Sequence, residues 1–544
     1  MNMPLKRKLN LNQTKRPLDP PPTIGTEENS LLAYFQYMCP RESLRTPLRW
    51  PPDLFALAGG LLLNSGAYRQ AMSQWPPHAS WHKRVSKIAA SWRHRWNNKK
   101  APPPEVRSLW RTVLSSSDLD VTKVAEHREL CIALIELCAI ADETSFSLGI
   151  PPVRKTDFDE FYIHAADLLS DESGATLCEA VHPSKARVLP KMHTPQTGLT
   201  FRSFSMHLAL YLSNEMVPKW ATVPSSPAKH KLKLLLIPWP FAMKKSCFSR
   251  VAGEIKMPGS YGFFEYTPRA TGVEAKTKDL LRRAIREFGH IDGVVFPEVA
   301  LTQSQYTKVS QIVLSQSAFL IAGVASEAAV SKQRHNRVHF DLPLPNEFHA
   351  VRLRQGKHHR WRLDRAQVHR YGLDDRLGKK GKFLWEHIEL EDRCLYFVTI
   401  RPWLTISVLI CEDLARPDPV GDLVRAVGPN LVVSLLLDGP QLTCRWSARY
   451  AAALADDPGS SVLTLTSVAM ANLSCPLGKK DVGHNVVALW RDGGSGSATT
   501  IKVPDSKEAA ILTVNVKEKT EFTADGRSDY GATGYPILET WDFI

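Results

Sequence analysis

The sequence predicts an α/β protein with a mainly helical region in front of it, on three observations. From about residue 230 onward, short runs rich in Val, Ile and Leu alternate with amphipathic stretches, as in strands covered by helices. Before about residue 220 the apolar segments read as helices (LFALAGGLLL, LCIALIELCAIA) and are separated by proline clusters such as WPP, APPPE and IPP. Between the two lies ATVPSSPAKH, a small, polar, proline-containing stretch.

These features divide the 544 residues into a tail, two domains and a joint. Residues 1–25 are basic and then proline-rich, and are expected to be disordered. Residues 26–220 form the helical domain, of unassigned role, and 221–230 the linker. Residues 231–544 form the α/β domain, whose strands (KLKLLLIP, IDGVVFPE, AFLIAGVA, LTISVLI, NLVVSLLL, SSVLTLTS) are apolar on both faces and should be buried.

Composition narrows the class of protein. A net charge of +14 favours an anionic partner or substrate, although a solvated basic surface would give the same sum. The nine cysteines include no CxxC and no His/Cys pairs at zinc-ligand spacing, which fits reduced thiols and predicts no metal. The N-terminus has charge but no apolar core of signal length, and no run approaches a membrane span. The expected compartment is the cytoplasm, with no membrane association and no cofactor.

In the helical region Trp81, Val85, Ile88, Trp92 and Trp96 recur at helical spacing, opposite Lys83, Arg84, Lys87, Arg93 and Arg95. Aromatics interleaved with cations can stack on single-stranded nucleic acid. An amphipathic helix with its stripe in a core explains the same spacing and is the favoured reading.

Three strand ends carry reactive side chains, where α/β sheets usually place their sites. Glu298 ends VVFPE, Lys357 follows the alternating VRLRQG, and Cys411 ends SVLIC before the acids Glu412 and Asp413. Each has an ordinary explanation alone: a cap, a solvated lysine, a small buried hydrophobe. In the order Glu, Lys, Cys they resemble the nitrilase, or carbon–nitrogen hydrolase, superfamily. FPE resembles its glutamate motif and ICEDLARP its cysteine motif. PNLVVSLLLDGP, RWSARYAAALADDPGSSVLTLTS and GHNVVALWRDGG resemble the strand, Trp-containing helix, strand and late hairpin that follow.

The resemblance, over roughly residues 230–515, implies an α-β-β-α sandwich and a hydrolase cleaving a non-peptide C–N bond, in an amide or nitrile, through a cysteine thioester. Cys411 would be the nucleophile and Glu298 the general base. Lys357 would stabilise developing negative charge, with the Glu412 N–H as a second donor. Asp413 would brace the loop with Arg416 as partner, and Asp364 would replace the family's second glutamate, with Glu386 a weaker candidate. The interval from Lys357 to Cys411 is longer than usual, so Lys379, Lys380 and Lys382 compete for the lysine role. Arg352, Arg354, Arg360, Arg362 and Arg365 cluster around Lys357 and would suit an anionic substrate. A homo-oligomer is expected by resemblance.

The alternative is a nitrilase-fold sensor or binding module in a multicomponent, nucleic-acid-linked system. KHHRWRLDRAQVHRYGL resembles nitrilase-like domains fused to reverse transcriptases in bacterial antiviral defence, although no polymerase YxDD motif occurs.

Overall fold

The computed structural model describes residues 29–69, 80–150, 159–223, 230–251, 261–326, 334–344, 350–378, 382–474 and 482–544. The expected tail, Trp75, Lys379, Lys380 and most of the linker lie outside them.

Two large sheets face each other. One runs in the order Ala350–Gly356, Asn336–Pro343, Phe319–Ala325, Gly293–Val295, Lys231–Leu236, Ala510–Lys519, Thr533–Phe543, with Leu301–Thr302 paired to Phe319–Ala325. The other runs Ala498–Lys502, Val486–Arg491, Ser461–Leu465, Leu431–Leu435, Leu404–Ile410, Cys394–Arg401, Val217–Thr222. Residues 217–222, the end of the expected helical domain and the first two residues of the expected linker, therefore form an edge strand of the second sheet, parallel to Cys394–Arg401.

Strand periodicity sorts the side chains into layers. Leu232, Leu234 and Leu236 point between the sheets and meet Ile406, Val408, Ile410, Leu431, Val433 and Leu435. Leu235 and Ile237 point outward, onto the helices Val273–Phe288 and Gln303–Leu314. On the far side Leu409, Val432 and Val462 meet the helices Asp422–Val427 and Trp446–Asp456. The layer order is helix, sheet, sheet, helix, as the resemblance implies.

The helical region adds a further layer. Its helices Leu31–Met38, Pro51–Ser65, Trp81–Asn97, Pro104–Leu114, Arg128–Thr144 and Glu160–Leu169 share one continuous core with Leu423, Val424, Val427, Ala451 and Leu454. The tryptophan stripe lies in that core: Trp81, Val85, Ile88 and Trp92 are buried, and Trp96 packs against Trp50 and Phe161. Two of its cations find carboxylates, Arg84 on Glu136 at 2.7 Å and Arg93 on Asp159 at 2.9 Å. Trp81 and Trp92 are thus enclosed in the core, and only Trp96 stays partly exposed.

The chain end ties the layers together. The segment joining the last two strands of the first sheet sends buried Arg527 to Asp142 and Asp525, both at 2.9 Å. Asp142 also accepts the N–H groups of Met206, His207 and Leu208. Burial opposes its charge, but the guanidinium and these N–H groups hold its carboxyl below the usual range.

A small third sheet, ordered Arg362–Asp364, Phe383–Glu386, Tyr261–Tyr266, Phe248–Arg250, packs through Phe248, Phe264, Leu363 and Leu384 against Val299 and Leu437. Val299 and Leu437 both adjoin the candidate site, so this sheet forms its cover. Among the described residues no helix is long and apolar enough to cross a membrane.

Candidate active site

Three strands of the two facing sheets lead into the site. The strand Gly293–Val295 is followed by Phe296, Pro297 and Glu298, and the chain turns at Val299, whose φ of 45° is costly for a β-branched residue. Ala350–Gly356 delivers Lys357, whose N–H bonds to Asn336 O at 2.9 Å. Leu404–Ile410 delivers Cys411, which opens a short 3₁₀ turn with φ 48°. A left-handed residue at a strand end turns the chain sharply, which accounts for the abrupt passage from apolar strand to acidic turn.

The charged side chains meet. Lys357 Nζ donates to Glu298 Oε1 at 2.7 Å and to Glu386 Oε2 at 2.6 Å. Asn336 Nδ2 spans the same two carboxylates, at 2.7 and 2.9 Å. Glu298 Oε2 accepts the N–H of Leu437 at 2.6 Å, and Glu386 Oε2 that of Trp361 at 3.0 Å. Glu298 is 2% exposed, Lys357 1% and Cys411 1%.

Two carboxyl groups thus share one ammonium. Burial raises the Glu298 pKa, and Glu386 adds to the rise against the pull of Lys357. Burial alone would strip the Lys357 proton, but Glu298, Glu386 and Cys411 together raise its pKa well above the usual value. Burial, then the Glu298 charge, push the Cys411 thiol well up, against Lys357. The resting state is a neutral thiol beside an ammonium. A thiolate forms there only as the proton passes to a neighbour, and Glu298, with its raised affinity for protons, is suited to receive it.

The supporting residues differ in part from expectation. Asp364 does not reach the cluster: its carboxylate caps the helix Arg365–Arg370, accepting Gln367 N–H at 2.8 Å. Glu386, brought by the covering sheet, stands beside the lysine instead. Asp413 is buried and braces the turn, but its partners are His358 N–H at 3.1 Å and His359 Nδ1 at 2.9 Å. Arg416 pairs with Glu412 at 2.5 Å rather than with Asp413. Lys382 is exposed, so Lys357 is the lysine that meets Glu298.

The basic cluster is largely committed to local contacts. Arg360 donates to Ile388 O at 2.8 Å, Arg362 lies over the Phe383 ring, and Arg365 donates to Gly378 O at 2.6 Å. Arg352 and Arg354 stand exposed on the edge strand Ala350–Gly356. No group of three or more metal-ligating side chains occurs among the described residues.

No protein-family model matches the chain, and no curated protein matches it. Solved structures do. Nit3 of Saccharomyces cerevisiae, a member of branch 10 of the nitrilase superfamily, is 11% identical, with a TM-score of 0.34 over 53% of this chain and 92% of its own. A double mutant of the amidase from Nesterenkonia sp. AN1, in complex with acrylamide, is 11% identical, with a TM-score of 0.33 over 54% of this chain and 92% of its own. A carbon–nitrogen hydrolase from Helicobacter pylori G27 is 11% identical, with a TM-score of 0.28 over 57% and 88%. The chain is thus similar to nitrilase-superfamily structures over about half its length.

Proposed function

We propose that the protein is a carbon–nitrogen hydrolase that cleaves an amide or nitrile through a thioester on Cys411. The observation that carries this reading is the shared position of Lys357 Nζ, bonded to both Glu298 and Glu386, within electrostatic reach of a cysteine on a left-handed turn.

The chemistry follows from the protonation states. Cys411 attacks the amide carbon as its proton passes to Glu298. Lys357 has three N–H bonds and uses two on the carboxylates, so the third is left for the developing oxyanion. The C–N bond breaks, the amine leaves with the proton from Glu298, and the acyl group stays on sulfur. Water, deprotonated by Glu298, then releases the acid and restores the thiol.

Incubation with amide and ester libraries, followed by intact-mass measurement, is expected to add one acyl group at Cys411. Cys411→Ser and Glu298→Gln should add none, and Glu386→Gln should reduce the yield without abolishing it. An acyl-free Cys411 throughout the libraries would rule the hydrolase out. The alternative, a nitrilase-fold sensor, draws support from the burial of all three residues.

A further inference from the structure

One face of the helical region is crowded with cations. The loop 41–49 crosses two helices there. Leu44 O accepts from Trp110 Nε1 of Pro104–Leu114 at 2.9 Å, and Arg49 O from Trp92 Nε1 of Trp81–Asn97 at 3.1 Å. The loop brings Arg41, Arg45 and Arg49, all exposed. The turn joining the two helices adds Lys99 and Lys100, also exposed, and folds back on Arg95, whose Nε donates to Ala101 O at 2.7 Å. Arg107 and Arg111 lie one turn apart on Pro104–Leu114, a spacing at which like charges repel. Residues 41–50 and 95–111 thus hold eight cations against two acids, Glu42 and Glu105.

Among the described residues none of the eight forms an ion pair, whereas Arg84 and Arg93 in the same layer do. The basic helix Val273–Phe288, across the sandwich, carries its own acids: Arg282 meets Asp279 at 3.2 Å and Arg286 meets Glu287 at 3.3 Å. Like charges gathered without counter-charge build a positive potential that a polyanion would relieve. Six of the eight are arginines, whose planar forks suit phosphate oxygens.

The face also lacks what other anionic partners use. None of the exposed large apolar side chains falls in residues 41–50 or 95–111. A protein interface is anchored by aromatic or apolar groups, a membrane surface takes up an apolar face, and a single strand stacks on exposed rings. Trp96, the one tryptophan here that is partly exposed, has Arg49 over its ring at 5.6 Å. A nucleic-acid duplex keeps its bases inside and presents one charge per about 1.7 Å of axis, so cations alone suffice to hold it.

We infer that this face of the helical region is a docking surface for a nucleic-acid duplex, held through its phosphates without reading base sequence. The inference goes beyond the hydrolase reading and does not depend on it.

Fluorescence anisotropy of a labelled DNA duplex of about 20 base pairs, titrated with the full chain, is expected to show binding that weakens steeply between about 50 and 200 mM salt. The variant Arg45→Gln/Lys99→Gln/Lys100→Gln/Arg111→Gln removes four exposed cations of the face. A control, Lys278→Gln/Arg282→Gln/Arg286→Gln/Lys308→Gln, removes the same charge from exposed positions on the opposite helices. The first should lose at least ten-fold more duplex affinity than the second, with urea midpoints checking that both are folded. In the unaltered chain, bound duplex should shield Lys99 and Lys100 from acetylation, read by peptide mass mapping, and leave Lys278 and Lys308 reactive. A smaller difference between the variants, equal shielding of the two lysine pairs, or no duplex binding at low salt would overturn the assignment. Tighter binding of a single strand of equal length, or of phosphatidylserine vesicles, would overturn it too.

Discussion

Glu298 owes its position to a residue without a side chain. Gly323, on Phe319–Ala325, allows such close approach that a Cβ there would lie 2.4 Å from Pro297 O and 2.5 Å from both Glu298 Cα and Val299 N. All three are backbone atoms, so the loop itself would have to move. Gly323→Ala is expected to cost about 1–3 kcal/mol, as other overpacked sites do, and to lower the acyl yield at Cys411; urea unfolding and intact mass measure the two effects. A second residue sets a pH response. His339 is buried against the Tyr306 ring with neither ring nitrogen partnered, although Tyr306 OH and Ser310 Oγ bond to Asp341 nearby. Burial first, then the Arg354 and Arg337 charges, push its pKa down from 6.5 to about 3. The unfolded chain thus binds a proton between those values that the folded chain refuses, and stability present above pH 6.5 is lost as pH falls towards 3. Between pH 7 and pH 5 the loss from this residue is about 2 kcal/mol. His339→Phe should remove that share of the fall in urea midpoint.

Single elements show which patterns in the sequence were readable. The helix Trp81–Asn97 has a two-sided composition that fits a core stripe or a nucleic-acid face, and the structure buries the stripe. Trp92→Ala should therefore cost about 3–5 kcal/mol in urea unfolding, whereas Lys83→Gln and Lys87→Gln, on the exposed side, should stay within about 0.5 kcal/mol. The strands before Glu298 and Cys411 were legible as apolar runs that end on one reactive residue, and the strand before Lys357 was legible by its alternation. Asn336 was not, and Glu386 was read only as a weaker candidate than Asp364. Glu386 ends a four-residue strand that pairs in parallel with distant Tyr261–Tyr266, and Asn336 begins a strand that reads as ordinary alternation. Asp364 lies nearer Lys357 in sequence, but the start of a helix, where free N–H groups need an acceptor, claims its carboxylate.

At the scale of the molecule, the helical region and the sandwich share a core, and residues near the chain end lock that contact. Tryptophan fluorescence, which reports on side-chain packing in both regions, and far-ultraviolet dichroism, which reports on backbone structure, should follow one coincident unfolding curve. Arg527→Met would leave Asp142 and Asp525 buried without their cation and should lower the common midpoint by the equivalent of about 3–5 kcal/mol. The helical layer has a further consequence. It covers the outer face of the helices Asp422–Val427 and Trp446–Asp456 with a partner tethered to it, so that association is intramolecular and its effective concentration is fixed by the tether. Covering that face therefore needs no second molecule, and dilution to trace amounts leaves it as well protected as in a concentrated solution.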